Sequence, residues 1–315
     1  MKILIVDEMH PSLLTMFDNE DWDFTYLPNI QREEILNLIF DYNGIVIRSK
    51  TVIDNELLEK APKLKFIARA GAGIEKIDLN ETKKREIEIF NAPEGNRDAV
   101  AEHAIGMLLA LFNKIPTADK EVRQKIWKRE ANRGIEIKGK TFGIIGYGNM
   151  GKSFAKRLSS FECSVLAYDK YLTNYSDDFV SAVTMDEIFE EADVLSLHIP
   201  LTIESKNLID LQFLNNFKKN IFIINTARGE ILVLKDLLSA LESGKVLGSC
   251  LDVLENEKLN SLSTEQDGIL EKLFQSQKVI FSPHVAGWTH ESYVRINEVL
   301  VEKISNWKKS NTNLF

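Results

Sequence analysis

Short runs of Val, Ile and Leu alternate along this chain with longer segments in which apolar residues recur every three or four positions. The short runs are typical of buried strands, and the longer segments are typical of helices with one apolar face. This alternation predicts an α/β fold of doubly wound parallel sheets covered by helices on both faces. The predicted strands are Lys2–Val6, Gly44–Arg48, Lys65–Arg69, Glu86–Phe90, Phe142–Gly146, Ser164–Asp169, Asp193–His198, Ile221–Asn225, Gly248–Val253 and Val279–Ser282; the clearest helices are Arg32–Phe40, Lys152–Ser159, Leu234–Ser243 and Glu291–Trp307.

A long apolar segment divides the alternation into two series. It runs from about Ala101 to Lys114 and is predicted to be a helix. The segment before it, Asn91–Asn96, is interpreted as a crossover between domains. A chain of 315 residues is also long for a single core, so we predict two domains. The stretch Ile105–Phe112 lacks a clear polar face, and we expect it at a dimer interface.

Composition narrows the class of protein. The chain is 44% hydrophobic and 27% charged, which is ordinary for a soluble globular protein. Its start, Met1–Asp7, reaches an acidic residue too early for a secretory signal, and we expect a cytoplasmic protein. The net charge of -8 argues against a nucleic-acid partner, and no apolar run is long enough to span a membrane. Cys163 and Cys250 lie in strand-like runs and are expected to be buried free thiols, and no set of residues has metal-ligand spacing.

A glycine-rich turn follows the predicted strand Phe142–Gly146 and opens a predicted helix. In this setting Gly146 would permit the tight turn, Gly148 would let the backbone approach a pyrophosphate, and Gly151 would let helix and strand pack closely. The helix N-terminus would add unpaired N–H groups. The turn therefore predicts a dinucleotide site, and its sequence is Gly146-Tyr147-Gly148-Asn149-Met150-Gly151.

Asp169 ends the next strand, where a carboxylate can accept hydrogen bonds from the hydroxyl groups of the adenosine ribose. The same charge would repel a 2′-phosphate, which favours NAD over NADP. The positive charge of Lys170 beside it weakens this preference.

Two side chains after later strands suit hydride transfer at C2 of a 2-hydroxy acid. Arg228 could hold the substrate carboxylate with two hydrogen bonds and polarise the C2 carbonyl. Histidine is the side chain whose ordinary pKa lies nearest neutral pH, so His284 is the predicted acid/base. Glu257 would pair with the imidazole and fix its tautomer, and Glu255 is a competitor for that role.

The ordered motifs resemble the D-2-hydroxyacid dehydrogenase family, and within it 3-phosphoglycerate dehydrogenases most of all. The resemblance covers essentially the whole chain, in a short form without a C-terminal regulatory domain. Where the family usually has proline after the glutamate, this chain has Lys258, which leaves that loop less constrained. The segments that carry the resemblance are Ile47–Ser49, Arg69–Gly73, Asn91–Asn96, Leu197–Thr202, Ile224–Gly229, Leu251–Glu257 and Ser282–Gly287.

The resemblance implies a flavodoxin-like substrate domain, residues 1–98 with 288–315, and a Rossmann NAD-binding domain, residues 99–287. It also implies a homodimer and the catalytic set Arg228, Glu257 and His284. Implied substrate-binding residues are Arg48, Ser49, Arg69, Gly71, Ala72, Gly73 and Arg228. Implied cofactor-binding residues are Ala72, Gly146, Gly148, Asn149, Met150, Gly151, Asp169, His198, Pro200, Thr226, Ala227, Asp252 and Gly287.

Three functions stay open at this point. The arginines of the first domain, together with Arg129 and Arg133 after Trp127, favour a doubly anionic substrate such as 3-phospho-D-glycerate, which would be oxidised to 3-phosphohydroxypyruvate for serine synthesis. A reductase of glyoxylate, hydroxypyruvate or another short 2-keto acid is the second hypothesis. The third is an NAD-sensing interaction protein related to the corepressors of this family. The remaining histidines, His10, His103 and His290, are interpreted as packing or surface groups.

Overall fold

The structure, a computed structural model, describes residues 1–311, which form two compact units. The first unit comprises Met1–Arg97 and the described residues from Trp288 onward, and the second comprises Asp98–Gly287. Residues 312–315 of the predicted first domain lie outside the described residues. The strands are β1 Lys2–Ile5, β2 Asp23–Tyr26, β3 Gly44–Ile47, β4 Phe66–Arg69, β5 Glu88–Asn91, β6 Thr141–Ile145, β7 Ser164–Tyr168, β8 Ser181–Ala182, β9 Val194–Leu197, β10 Ile221–Asn225, β11 Val246–Leu251 and β12 Val279–Phe281. The α-helices are α1 Ser12–Asn19, α2 Arg32–Leu38, α3 Asn55–Glu59, α4 Leu79–Lys84, α5 Pro93–Phe112, α6 Ile115–Arg123, α7 Asn149–Leu158, α8 Met185–Glu191, α9 Leu211–Asn215, α10 Leu234–Ser243, α11 Thr264–Gln275 and α12 His290–Ser310.

The first unit is built on a parallel sheet with the strand order β2-β1-β3-β4-β5. This is the doubly wound order of the flavodoxin type, whose switch point lies between β1 and β3. A buried apolar cluster covers each face of the sheet. The sequence did not predict β2, because its four residues, DFTY, alternate polar with aromatic side chains and lack the continuous apolar run that marks central strands.

The second unit is built on a parallel sheet with the order β12-β11-β10-β9-β6-β7-β8. The order reverses between β6 and β9, as in a Rossmann fold, and this reversal is where such sheets bind ligands. Both sheets confirm the predicted fold class. Because parallel strands all end at one edge, the loops after β6, β7, β9, β10, β11 and β12 gather there.

The segment Asn91–Asn96, interpreted as a crossover between domains, directly precedes the boundary between the two units, and it contains the end of β5 and the start of α5 at Pro93. Proline suits the first turn of a helix because its fixed φ is helical and its missing N–H has no partner there. The boundary between the units, after Arg97, therefore falls inside a helix.

The apolar residues of α5 pack within the second unit. Ala101, Ala104, Leu108 and Phe112 are buried in its core beside the sheet. The lack of a polar face on this helix is thus explained without a dimer interface. None of the helices in residues 1–311 combines the length and hydropathy needed to cross a bilayer.

Candidate functional site

The glycine turn after β6 has the geometry that only glycine accepts at two positions. Gly146 has φ +92, and a Cβ there would lie 2.6 Å from the carbonyl oxygen of His198. A Cβ on Gly151 would lie 2.1 Å from the carbonyl oxygen of Gly146. The strand β6 and the helix α7 are therefore joined as closely as a dinucleotide turn requires.

The third glycine, Gly148, faces open space. A Cβ built there would meet no described atom within 4 Å, although Gly148 is the N-cap of α7. Because glycine has no side chain, it cannot cap the start of α7. The backbone N–H groups of Asn149 and Met150 in the first turn therefore point the positive end of the helix dipole towards that space. An open volume in front of an uncapped helix N-terminus fits a pyrophosphate.

Asp169 ties the turn to the loop after β7. Its Oδ2 accepts a hydrogen bond from the backbone N–H of Tyr147 at 2.8 Å, and its Oδ1 accepts from the N–H groups of Tyr171 and Leu172 at 2.9 and 3.1 Å. Next to it the Lys170 ammonium lies 2.5 Å from a carboxylate oxygen of Glu204, in the loop after β9.

Tyr147 is a residue that the sequence did not single out. It is fully buried although it lies within the turn, and its hydroxyl donates to Asp177 at 2.7 Å. Burial and this hydrogen bond raise the pKa of the phenol. Tyr147 therefore anchors the loop after β7 to the turn, and no pattern in the sequence marks its partner.

His198 follows β9, and its imidazole packs inside the second unit. Its Nε2 lies 2.8 Å from the hydroxyl of Ser196, and its ring centroid lies 5.1 Å from that of Phe154. Burial lowers the pKa of His198 to about 4, so the ring is neutral at physiological pH. Farther along the same loop, the Pro200 carbonyl accepts from Ser205 at 2.7 Å.

Arg228 lies in the loop after β10. Asn225 at the strand end donates to the Arg228 carbonyl at 2.9 Å and accepts from the Ala227 N–H at 3.1 Å, so one side chain shapes the whole turn. The Arg228 Nη1 donates to the carbonyl of Ala227 at 2.7 Å. In the same turn the buried Thr226 hydroxyl finds no partner among residues 1–311, which leaves a polar atom for a bound ligand.

His284 and Glu257 form a pair. The His284 Nδ1 lies 2.8 and 3.0 Å from the two carboxylate oxygens of Glu257, and each side chain is about half exposed, at 48% and 47%. Glu255 does something else: it accepts from the N–H of Leu234 at the start of α10 at 3.0 Å, and burial raises its pKa. Of the two candidate glutamates, Glu257 is the one beside the imidazole.

The strand order relates Arg228 to this pair. The loops that carry Arg228 and His284 follow β10 and β12, which lie on either side of β11, and Glu257 lies in the loop after β11 itself. Neighbouring strands are about 4.8 Å apart, so the two strand ends are separated by about 10 Å.

Asp252 follows β11 between them and is almost fully buried. Its carboxylate accepts from the Ser282 hydroxyl at 2.6 Å and from the N–H groups of Val285 and Ala286 at 2.9 and 2.8 Å. Both oxygens therefore hold the segment that carries His284. The sequence placed Asp252 beside the cofactor and did not indicate this role.

In the first unit, Arg48 is held between two aromatic rings. Its guanidinium carbon lies 3.7 Å from the centroid of Trp288 and 4.7 Å from that of Tyr293, whose hydroxyl accepts from Arg48 at 2.8 Å. Burial lowers the pKa of Arg48. The buried Asp7 accepts from the N–H of Arg48 at 2.6 Å, and it also holds the turn that contains Ser49. The sequence did not identify Asp7, Trp288 or Tyr293, although Asp7 directly follows a strand-like run.

The other predicted substrate segment follows β4. Gly71 has φ +142, and a Cβ there would overlap the Arg69 guanidinium at 1.5 Å, so glycine lets the arginine fold over the loop. The Ala72 carbonyl accepts from Asn91 at 2.6 Å, which fixes the loop before Gly73.

Arg129 and Arg133, which the sequence offered for an anionic substrate, lie exposed in the second unit. Arg133 pairs with Glu130 at 2.6 Å, and both members are largely in water. The Arg133 guanidinium is therefore already paired with a carboxylate at the surface.

Comparison with known proteins identifies relatives over the whole chain. A family model described as D-isomer specific 2-hydroxyacid dehydrogenase, NAD binding domain, matches residues 105–286, and this span is an NAD-binding domain. A D-3-phosphoglycerate dehydrogenase of Archaeoglobus fulgidus is 34% identical over 98% of this chain and 58% of its own length. A hydroxypyruvate reductase of Thermotoga maritima is 35% identical over 88% of each chain.

A solved structure has the same fold. The D-lactate dehydrogenase of Aquifex aeolicus, complexed with NAD and lactic acid, superposes with a TM-score of 0.83 at 26% identity and covers 99% of this chain and 97% of its own. The chain spans a little more than half the length of the phosphoglycerate dehydrogenase that it matches.

Proposed function

Because this chain belongs to the D-isomer specific 2-hydroxyacid dehydrogenase family, we propose that it is an NAD-dependent oxidoreductase acting at C2 of a D-2-hydroxy acid. The observation that carries the proposal is the His284–Glu257 pair at the strand edge that also bears Arg228. Glu257 engages Nδ1 of the imidazole, which leaves Nε2 as the nitrogen that exchanges a proton with substrate.

The proposed chemistry divides between three side chains. Arg228 binds the substrate carboxylate and polarises the C2 oxygen. During oxidation His284 takes the proton of the C2 hydroxyl, and during reduction it returns that proton. Glu257 orients the imidazole by accepting a hydrogen bond from its Nδ1. NAD, held by the residues of the glycine turn, would supply the hydride acceptor for oxidation at C2 or, when reduced, the hydride donor.

The residues proposed to hold the cofactor are those of the turn and the neighbouring loops. Gly148, Asn149 and Met150 would face the pyrophosphate with backbone N–H groups, and Asp169 would receive the ribose hydroxyls. The remaining proposed contacts come from Ala72, Gly146, Gly151, His198, Pro200, Thr226, Ala227, Asp252 and Gly287.

For the substrate we propose 3-phospho-D-glycerate, oxidised to 3-phosphohydroxypyruvate. The name of the Archaeoglobus relative supports this choice, as do the two arginines at strand ends of the first unit, Arg48 and Arg69, with Ser49 and the loop Gly71–Gly73 beside them. A second candidate, reduction of hydroxypyruvate or glyoxylate, is favoured by the Thermotoga relative, which this chain matches over 88% of its length.

A homodimer in the cytoplasm is part of the proposal. Every residue of α6 is at least partly exposed, and Ile115, Val122 and Trp127 present large apolar side chains, with Trp127 77% exposed. A second copy of the chain would remove this surface from water. Sedimentation equilibrium of a stable monomer would contradict the dimer.

Steady-state kinetics tests the activity. We expect NADH formation with 3-phospho-D-glycerate, and a kcat/KM for phosphohydroxypyruvate at least about tenfold above that for hydroxypyruvate, the value of one charge-assisted contact. Equal values would favour the second candidate. The variant Arg228→Ala should lose most activity, and the control Arg133→Ala should keep it. No turnover with any 2-hydroxy or 2-keto acid would refute the dehydrogenase.

A further inference from the structure

His103 lies on α5 and contacts the loop that carries His284 through a chain of side chains. Its Nε2 is 2.8 Å from the Ser282 hydroxyl oxygen, and that hydroxyl lies 2.6 Å from the Asp252 Oδ1. His103 is 28% exposed, and the Asp252 side chain is 1% exposed. The contact is therefore largely shielded from competing water.

The direction of the hydrogen bonds follows from proton counting. A serine hydroxyl has one proton, and the short contact to an acceptor-only carboxylate commits that proton to Asp252. Ser282 must then accept from His103, so the His103 Nε2 carries a proton. The His103 imidazole is therefore the donor at the start of this series of hydrogen bonds, and a side chain of similar size without a donor cannot replace it.

The turn that these hydrogen-bonded side chains hold, which contains His284, is under backbone strain. His284 has φ +55, a left-handed conformation that is uncommon for residues other than glycine and has to be over-determined by its surroundings. The His284 N–H donates to the Asp252 carbonyl at 2.8 Å. The next two N–H groups, of Val285 and Ala286, donate to the Asp252 carboxylate.

We propose that His103 is a positioning residue for the acid/base His284, acting through Ser282 and Asp252. By donating to the Ser282 oxygen, His103 keeps the Ser282 hydroxyl donating to Asp252 and so fixes the carboxylate that folds the strained turn, and the turn fixes the imidazole of His284. The proposal rests on the proposed role of His284. Nothing in the sequence separates His103 from a packing histidine, because its partners lie about 150 and 180 positions away in the chain.

The experiment compares His103→Leu with His103→Gln. The glutamine amide can donate to Ser282 from nearly the position of the imidazole Nε2, whereas leucine cannot donate. Small displacements of a catalytic group cost about ten- to hundredfold in rate, so His103→Leu should lower kcat by this factor, with a smaller change in the affinity for NADH. His103→Gln should recover to within about threefold. His290→Leu, an exposed histidine at the start of α12, is the matched control.

Hydrogen exchange supplies a readout that does not depend on turnover. In His103→Leu the amides of Val285 and Ala286 should exchange at least about tenfold faster than in the parent protein, and His103→Gln should restore their protection. Ser282→Ala should behave as His103→Leu does, and combining the two should add little, because both remove one chain of contacts.

Each outcome decides the proposal. Unchanged kcat in His103→Leu, with or without faster exchange, would overturn it, as would a glutamine variant no better than leucine. A wild-type protein without dehydrogenase activity would refute the proposed function instead, and exchange at Val285 and Ala286 would still show whether His103 holds the turn.

Discussion

The neutral imidazole of His198 makes the stability of the second unit depend on pH. A histidine in an unfolded chain titrates near pH 6.5, whereas burial lowers the pKa of His198 in the folded protein to about 4. Below pH 6.5 the unfolded chain binds a proton that the folded protein does not, so stability falls as pH falls towards 4. Above about pH 6.5 His198 is mostly neutral in both the folded and the unfolded state, so little of this stability is lost there. Acidification from about pH 7.5 to about pH 5 should lower the free energy of unfolding by about 2 kcal/mol, and acidification to about pH 4 should lower it by about 3 kcal/mol.

Replacement of the titrating group isolates this effect from that of the carboxylates. His198→Gln keeps an amide near Ser196 and cannot be protonated, so its unfolding free energy should fall less steeply with acid. Urea unfolding of both proteins at several pH values measures the difference, which should change by about 2 kcal/mol between about pH 7.5 and about pH 5. Parallel curves for the two proteins, or a His198 NMR resonance that titrates above pH 6 in the folded state, would refute the reasoning.

Three further predictions concern ligand sites. Gly148→Ala should fold normally and weaken NADH binding at least about tenfold, because its Cβ enters only the open space at the helix N-terminus. Gly151→Ala should instead cost about 2 kcal/mol or more of unfolding free energy, because its Cβ would overlap the backbone. Fluorescence titration with NADH measures the first effect, and urea unfolding measures the second. Glu204→Gln, which releases Lys170, should strengthen NADPH binding up to about fivefold, and unchanged NADPH titrations would contradict a role for this pair in cofactor choice. Trp288→Ala should lower the unfolding free energy by about 1 kcal/mol through loss of the cation–π contact with Arg48, and Trp288→Tyr should retain most of it.

The fold could be predicted because its main signals are local. Buried strands such as β6 and β10 are continuous apolar runs, and the glycine turn has a fixed spacing. The edge strands β2 and β8 were missed since one face of an edge strand needs little apolar content. The start of α5 was missed because Asn91–Asn96 combines proline and glycine, which usually mark loops, although proline also suits a first turn.

The sequence identified candidate site residues from the type of their side chains, and it indicated only part of what surrounds those side chains. Arg228, Glu257 and His284 stand out because their side chains are the ones that the proposed chemistry needs. Contacts such as His103 with Ser282, or Arg48 with Trp288, join residues more than a hundred positions apart, and no periodicity encodes them. Glu255 and Glu257 illustrate the same limit: two positions apart, they differ in whether the backbone directs them to α10 or to the imidazole.

The last helix completes the first unit. Ile296, Leu300 and Ile304 of α12 are buried against Phe66 and the rest of the apolar cluster on one face of the first sheet. During synthesis the part of that face that α12 covers stays exposed while the ribosome makes the whole of residues 98–287. The second unit, which is continuous in sequence, can therefore fold first, and a nascent chain stalled before residue 290 would present an unfinished sheet to chaperones.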